Sequence, residues 1–303
     1  MRRHNALAMR GVVQTNDGAS LRTRLERFDE TEDVPTARPG PALVLVHGWS
    51  GTSRYFEPLL ASAERLFGED FPSCVLYDQR GHGESSSQPH ACGGLSVARL
   101  AMDLRHVLDA HSSADGVVLV GTSMGCAVIW SYMSLFSDDD RVKGVVLVDQ
   151  APLQNRRPGW TMGSTGCYDS ESYARLAAAV RDDMSAFADG NADACLVDAT
   201  SLDREILRMV KEETLRCDPE ALCELMYDHT HQDWRDVCRR CAVPALVLVG
   251  RKTKIFPWQG VAHVGDLMPN SIVKFYENEG HWLYLENPDE FARDLRAFVR
   301  VHA

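Results

Sequence analysis

The 303-residue chain has no run of about 18 apolar residues, so no segment of it is expected to span a membrane. Its first residues carry Arg2 and Arg3 but are broken up by His4, Asn5 and Arg10, without the continuous apolar stretch of a secretory signal. Basic runs are missing as well. Lys and Arg total 32 against 43 Asp and Glu, a formal charge of −11. Such a surface repels phosphate backbones, and nucleic acid is not an expected partner. Cys238 and Cys241 form a lone Cys-x-x-Cys with no second pair to complete a tetrahedral zinc site. The nine cysteines are odd in number and scattered, which points to reduced thiols in a cytoplasmic protein without bound metal. Repeats and low-complexity tracts are absent. What is there, 45% hydrophobic and 25% charged residues, is a globular composition long enough for one large α/β domain with an insertion.

Residues 8–28 alternate loosely around an Asn16-Asp17-Gly18 turn and predict a β-hairpin. An acidic, Pro- and Gly-rich stretch at 29–41 predicts a surface loop. Short apolar runs then recur at Ala42–Val46, Cys74–Tyr77, Val117–Val120, Val145–Val148, Ala245–Val249 and Ile272–Tyr276. Helical spacing separates several of them, over Arg54–Phe67, Leu95–Leu108 and Met124–Leu135, and a last helix is expected from about Pro288 to Val301. Continuous apolar runs alternating with amphipathic helices predict a mostly parallel, twisted sheet covered by helices on both faces. The rhythm stops between Asp149 and about Val243, where only helical or irregular segments such as Ser172–Ala188 and Leu202–Arg216 appear. The expected division is a core of residues 1–150 and 243–303 with a helical cap inserted at 151–242.

The strongest chemical signal is Gly121-Thr122-Ser123-Met124-Gly125, directly after one apolar run and directly before a helix. Glycines there let a strand turn sharply into a helix while the central serine sits in a strained conformation with its hydroxyl exposed. Ser123 is the candidate nucleophile. A tetrahedral acyl intermediate also needs two backbone N–H donors aimed at its oxyanion. Met124, after the nucleophile, is one candidate. Trp49, in the His47-Gly48-Trp49-Ser50 stretch that ends the Ala42–Val46 run, is the other. The elbow contains no base, so one must come from elsewhere. Of the eleven histidines, His281, in Gly280-His281-Trp282, is expected at the carboxyl edge of the sheet in the chain order Ser…His.

Together with Tyr77-Asp78-Gln79-Arg80-Gly81-His82-Gly83-Glu84-Ser85, these motifs resemble the α/β-hydrolase superfamily in its capped, esterase-like branch. The resemblance runs in order over nearly all of the chain except the cap. It implies that Asp78 and His82 belong to a structural turn, and that the third member of the triad is an Asp just after the Ala245–Val249 strand. Here that stretch reads Gly250-Arg251-Lys252-Thr253-Lys254-Ile255-Phe256-Pro257, with no carboxylate. Asp149, after the Val145–Val148 strand, is the expected acid, a position that some members of the superfamily use. Asp228 and Asp233, near the end of the cap, are alternatives. Glu277 and Glu279 stand too close in sequence to His281.

A cap over a sheet edge encloses a mainly apolar cavity. Its expected lining is His47, Trp160, Met162, Tyr168, Phe256, Trp258 and Trp282. His229 and His231 have a spacing that does not face both along one side of a helix, and are expected to be surface or structural histidines. The expected activity is cofactor-free hydrolysis of a small or medium-sized ester, through an acyl group on Ser123. Lactone, thioester or carbon–carbon bond hydrolysis, haloperoxidase or perhydrolase chemistry, and a non-catalytic receptor on the same scaffold are the alternatives.

Overall fold

The computed structural model describes residues 7–28, 42–85, 94–111 and 115–302. The surface loop expected at 29–41 lies outside the described residues, as does Cys92. Eight strands form one sheet: β1 (Leu7–Gln14), β2 (Ser20–Arg27), β3 (Ala42–Val46), β4 (Cys74–Tyr77), β5 (Val117–Thr122), β6 (Val142–Val148), β7 (Ala245–Gly250) and β8 (Ser271–Tyr276). Their order across the sheet is β1-β2-β4-β3-β5-β6-β7-β8. The hairpin β1–β2 is antiparallel and joins β4 antiparallel, while β4 through β8 run parallel. Gly18 turns the hairpin with φ 87°.

Alternation along the strands explains the two layers. Val44, Val46, Leu119, Val145 and Leu147 point into one buried cluster, with Leu100, Leu104, Trp130 and Val261. Their neighbours Leu43, Leu45, Val118, Val120, Val146 and Val148 point into the other, with Leu59, Phe291 and Leu295. The first cluster is roofed by α2 (Val97–His111), α3 (Met124–Leu135) and α9 (Trp258–Leu267). The second is roofed by α1 (Glu57–Phe67), α10 (Leu283–Glu286) and α11 (Pro288–His302). Both faces of the central strands are dry, which is why they read as unbroken apolar runs.

Five helices lie between β6 and β7: α4 (Ser170–Asp182), α5 (Met184–Cys195), α6 (Arg204–Thr214), α7 (Pro219–His231) and α8 (Arg235–Arg240). The single helical segment expected at Ser172–Ala188 is two helices. Asp183 breaks it, its extended backbone ending α4 and its carboxylate accepting from the Ser185 and Ala186 amides at 2.9 Å to start α5.

The Asp78–Ser85 turn is tied into the fold by its own side chains. Asp78 accepts from the Ser53 and Glu84 amides, both at 2.9 Å. Buried Arg80 forks onto Asp17 of the hairpin turn and Asp103 of α2. The hairpin, the turn and α2 are thus tied at one point.

Candidate active site

The chain leaves β3 for β4 on one side and returns to β5 on the other, so the strand order reverses between β3 and β5. Loops diverge at such a point and open a crevice at the carboxyl ends of the strands. There the loop after β3 meets the turn after β5: a Cβ on Gly48 would stand 3.1 Å from Ser123 Cβ. Ser123 has φ 51°, a left-handed conformation that an L-residue adopts only under strain. Close packing imposes it. A Cβ on Gly125 would lie 2.2 Å from the Val46 carbonyl oxygen, and one on Gly121 would lie 2.7 Å from the Gly125 backbone. Met124 is the first residue of α3, so its N–H has no acceptor within the helix. The Ser123 hydroxyl makes a long contact, 3.5 Å, with Gln150 Oε1.

His281 meets a carboxylate on its far side. Its Nδ1 lies 2.6 Å from Asp149 Oδ2. Asp149 is fully buried at the end of β6, also with positive φ. Its other oxygen accepts from the Gly250 amide at 3.1 Å, and Thr253 Oγ1 donates to Oδ2 at 2.7 Å. Three donors around one carboxylate fix its plane. The Asp–His contact assigns the ring proton to Nδ1 and leaves Nε2 free. A Cβ on Gly250 would stand 2.1 Å from the Gly280 carbonyl oxygen, so glycine there lets the His281 loop close onto the end of β7. The loop is also clipped from outside: the His281 amide donates to the Cys195 carbonyl at 3.0 Å, and Glu286 accepts from the Gly280 and Val197 amides.

The β3 loop is built differently. Fully buried His47 accepts from the Gln79 amide at Nε2 (2.9 Å), while its Nδ1 lies 2.8 Å from the Gly48 carbonyl oxygen. Burial pushes its pKa down to about 4, so it is neutral near pH 7. Trp49 is pinned by its indole N–H to the Leu222 carbonyl of α7 (2.8 Å) and by an edge contact with Phe187 of α5. Asn191 of α5 donates to Ser50 Oγ at 2.9 Å. The loop therefore has supports on both the sheet and the inserted helices.

A sequence model of the α/β-hydrolase fold matches residues 41–288. The chain belongs to the α/β-hydrolase family. Among curated relatives, protein phosphatase methylesterase 1 of Debaryomyces hansenii is 28% identical over 130 residues, 41% of this chain and 33% of that protein. The chain thus matches about a third of that relative's length. Lipase 1 of Psychrobacter immobilis is 24% identical over 265 residues, 86% of this chain and 78% of that one. Among solved structures, an esterase from Exiguobacterium antarcticum superposes with a TM-score of 0.81 at 19% identity, covering 96% of this chain and 100% of its own.

In this α/β-hydrolase a cavity of about 500 Å³ brings together Ser123, His281, Trp49, Phe256 and Trp282. Four other residues expected in its lining lie elsewhere. Trp160 turns its indole N–H to the Leu153 carbonyl (2.9 Å) and lies beneath Arg235. Tyr168 is covered by Arg156, Trp258 is stacked under Arg251, and Met162 lies against Gly260 of α9. His47 is a fifth: its ring faces Gln79 and His82 beneath the loop, so it supports the wall without forming it. The wall includes residues that carried no sequence signal, among them Ala179, Ala186, Ala194 and Met226. It also includes His229, which is buried, whereas His231 is exposed. Among the described residues no group of three or more His, Cys, Asp or Glu could hold a metal ion, and no helix is long and apolar enough to cross a membrane.

Proposed function

We propose that the protein is a serine hydrolase that cleaves carboxylic esters of small or medium size through an acyl-enzyme at Ser123. The observation that carries this reading is the 2.6 Å contact between His281 Nδ1 and buried Asp149, with His281 and Ser123 lining one cavity. The Ser123 hydroxyl turns from Gln150 to His281 Nε2 and gives up its proton there as Oγ attacks the ester carbonyl. The backbone N–H groups of Trp49 and Met124 hold the oxyanion. The imidazolium, stabilised by the Asp149 carboxylate, then protonates the departing alcohol. Water, giving a proton to the same nitrogen, releases the acid and restores Ser123.

Residues 151–242 act as the cap. The support for this is that α4, α5 and α7 supply cavity wall over the strand ends. The mainly apolar lining and the volume suit a medium-sized acyl or alcohol group. The names of the methylesterase, lipase and esterase relatives point the same way. The eight cysteines among the described residues are free and buried, which suits a reducing compartment such as the cytoplasm.

A panel of p-nitrophenyl esters of increasing acyl length tests the reading. Turnover of the short and medium members that disappears in Ser123→Ala is expected. A folded protein that hydrolyses none of them would overturn it and favour a receptor.

A further inference from the structure

Two buried polar side chains in the cavity wall lack adequate partners. His229, in the last turn of α7, is 2% exposed and lines the cavity, and its Nδ1 is buried without a hydrogen-bond partner among the described residues. Met226, one turn earlier on the same face of α7, lines the cavity beside it. Gln154, 5% exposed, reaches into the same wall, and its amide finds sulfur: Nε2 donates to Met226 Sδ at 3.1 Å, and the Cys167 thiol is its other side-chain partner. Thioether and thiol are weak hydrogen-bonding groups. Ser164, next in the wall, accepts from the Gly166 and Cys167 amides at 3.2 Å, which leaves its hydroxyl proton available.

An unpaired polar group in an apolar wall is costly. His229 Nδ1 is sealed from the cavity, whereas Nε2 makes no hydrogen bond among the described residues and is the ring atom a ligand in the cavity can reach. Burial holds His229 neutral, its pKa lowered to about 4, so Nε2 offers a ligand a donor or an acceptor, according to the tautomer, and no charge. No Lys or Arg is found among the described residues lining the cavity, and its charged lining residues, Asp182 and Asp183, sit at the solvent-exposed edge. A carboxylate would meet no counter-charge there.

We propose that His229 and Gln154, with Ser164, form a polar subsite that selects esters bearing an uncharged oxygen function, a hydroxyl or carbonyl, on the part of the substrate filling the cavity. This rests on the reading of Ser123 as the nucleophile. His229 is a specificity residue here, making no contribution to the proton transfers.

The test compares kcat/KM for p-nitrophenyl esters of one chain length, unsubstituted or carrying a hydroxyl, oxo or carboxylate group at successive carbons. For at least one position, the hydroxyl or oxo ester is expected to exceed the unsubstituted ester by about tenfold or more, and the carboxylate to fall below it. His229→Leu should bring the hydroxyl or oxo ratio towards one, while His229→Gln, which keeps a donor and an acceptor, should retain part of it. Gln154→Met is an independent variant that should lower the same ratio. Fluorophosphonate labelling of each protein separates two kinds of failure. A labelled wild type with no preference at any position, or a preference untouched by both His229→Leu and Gln154→Met, overturns the subsite alone. A folded wild type that takes no label overturns the nucleophile assignment and the subsite with it.

Discussion

His47 and His281 both follow parallel strands at the same edge of the sheet, each beside a glycine, yet they are opposite in chemistry. His47 spends both ring nitrogens on backbone, at 2.8 and 2.9 Å, and lies sealed beneath the loop it supports. His281 spends Nδ1 on a carboxylate and reaches the cavity with Nε2 uncommitted. On the proposed mechanism, the partner on its far nitrogen is what would make His281 a base, and that partner is specified in space rather than along the chain. The strand ends of β6 and β7 are neighbours, so a carboxylate leaving either can approach the same imidazole. Asp149 does so from β6, while Thr253, past the end of β7, donates to it.

The largest effect comes from breaking the His281 side of this contrast. Asp149→Asn should fold normally and lose about 10⁴-fold in kcat, because the amide no longer orients or stabilises the imidazolium. Steady-state kinetics with circular dichroism as the folding control measure it, and a near-normal rate would contradict the role of Asp149; Asp228 and Asp233 are held elsewhere, on the Val97 amide and on Arg157 and Arg235. Adding Thr253→Asp to that variant sharpens the point. A carboxylate restored from the β7 side should recover at least about tenfold of the loss, since Thr253 Oγ1 already stands 2.7 Å from the Asp149 carboxylate.

The His47 side breaks through pH. His47, His82 and His229 are all buried with lowered pKa values, to about 4, 3 and 4, against 6.5 for an exposed histidine. The unfolded chain therefore binds more protons than the folded one below pH 6.5. Their contribution to stability is complete above pH 6.5 and is lost as pH falls towards 4, each of His47 and His229 accounting for about 3 kcal/mol. Urea unfolding from pH 7 to pH 4.5 should show a continuous decline, and His47→Gln should flatten it. A flat profile in the wild type would mean that these rings are not held neutral.

Thr253→Val is the finer cut. It removes a hydrogen bond to a charged group while keeping shape, and should lower kcat about tenfold with KM little changed. Thr253→Ser should restore most of the rate. Least of all should come from Tyr168→Phe, outside the cavity, whose kcat/KM should stay within about twofold of the wild type.

The sequence made the backbone of this arrangement legible and left its upholstery hidden. Strands buried on both faces are unbroken apolar runs, which made β3 to β7 readable; β8, an edge strand with Lys274 within it and Ile272 exposed, was readable from its other apolar residues. The hairpin and the helix after Ser123 were readable too. The elbow glycines were readable because sterics at Gly121 and Gly125 tolerate nothing larger. The vacancy near Thr253 was visible too, since the absence of a carboxylate from 250–257 is a plain fact of composition. Which aromatics face the cavity was not. Phe256 and Trp258 are two residues apart, yet the first lines the cavity and the second starts α9 beneath Arg251. His229 looked bland for the same reason: burial and an unpaired nitrogen belong to the packed helix, and no local pattern announces them. The break at Asp183 is an intermediate case, a capping residue present in the sequence but masked by helical spacing on either side.

The central claim is that Ser123 is an activated nucleophile served by His281 and Asp149, and covalent labelling tests it most directly. Incubation with a fluorophosphonate, followed by intact-mass and peptide analysis, should show one adduct on Ser123. It should form rapidly in the wild type, far more slowly in Asp149→Asn and not at all in Ser123→Ala. A folded wild-type protein that takes no adduct, or one that takes it at another residue, would contradict the account.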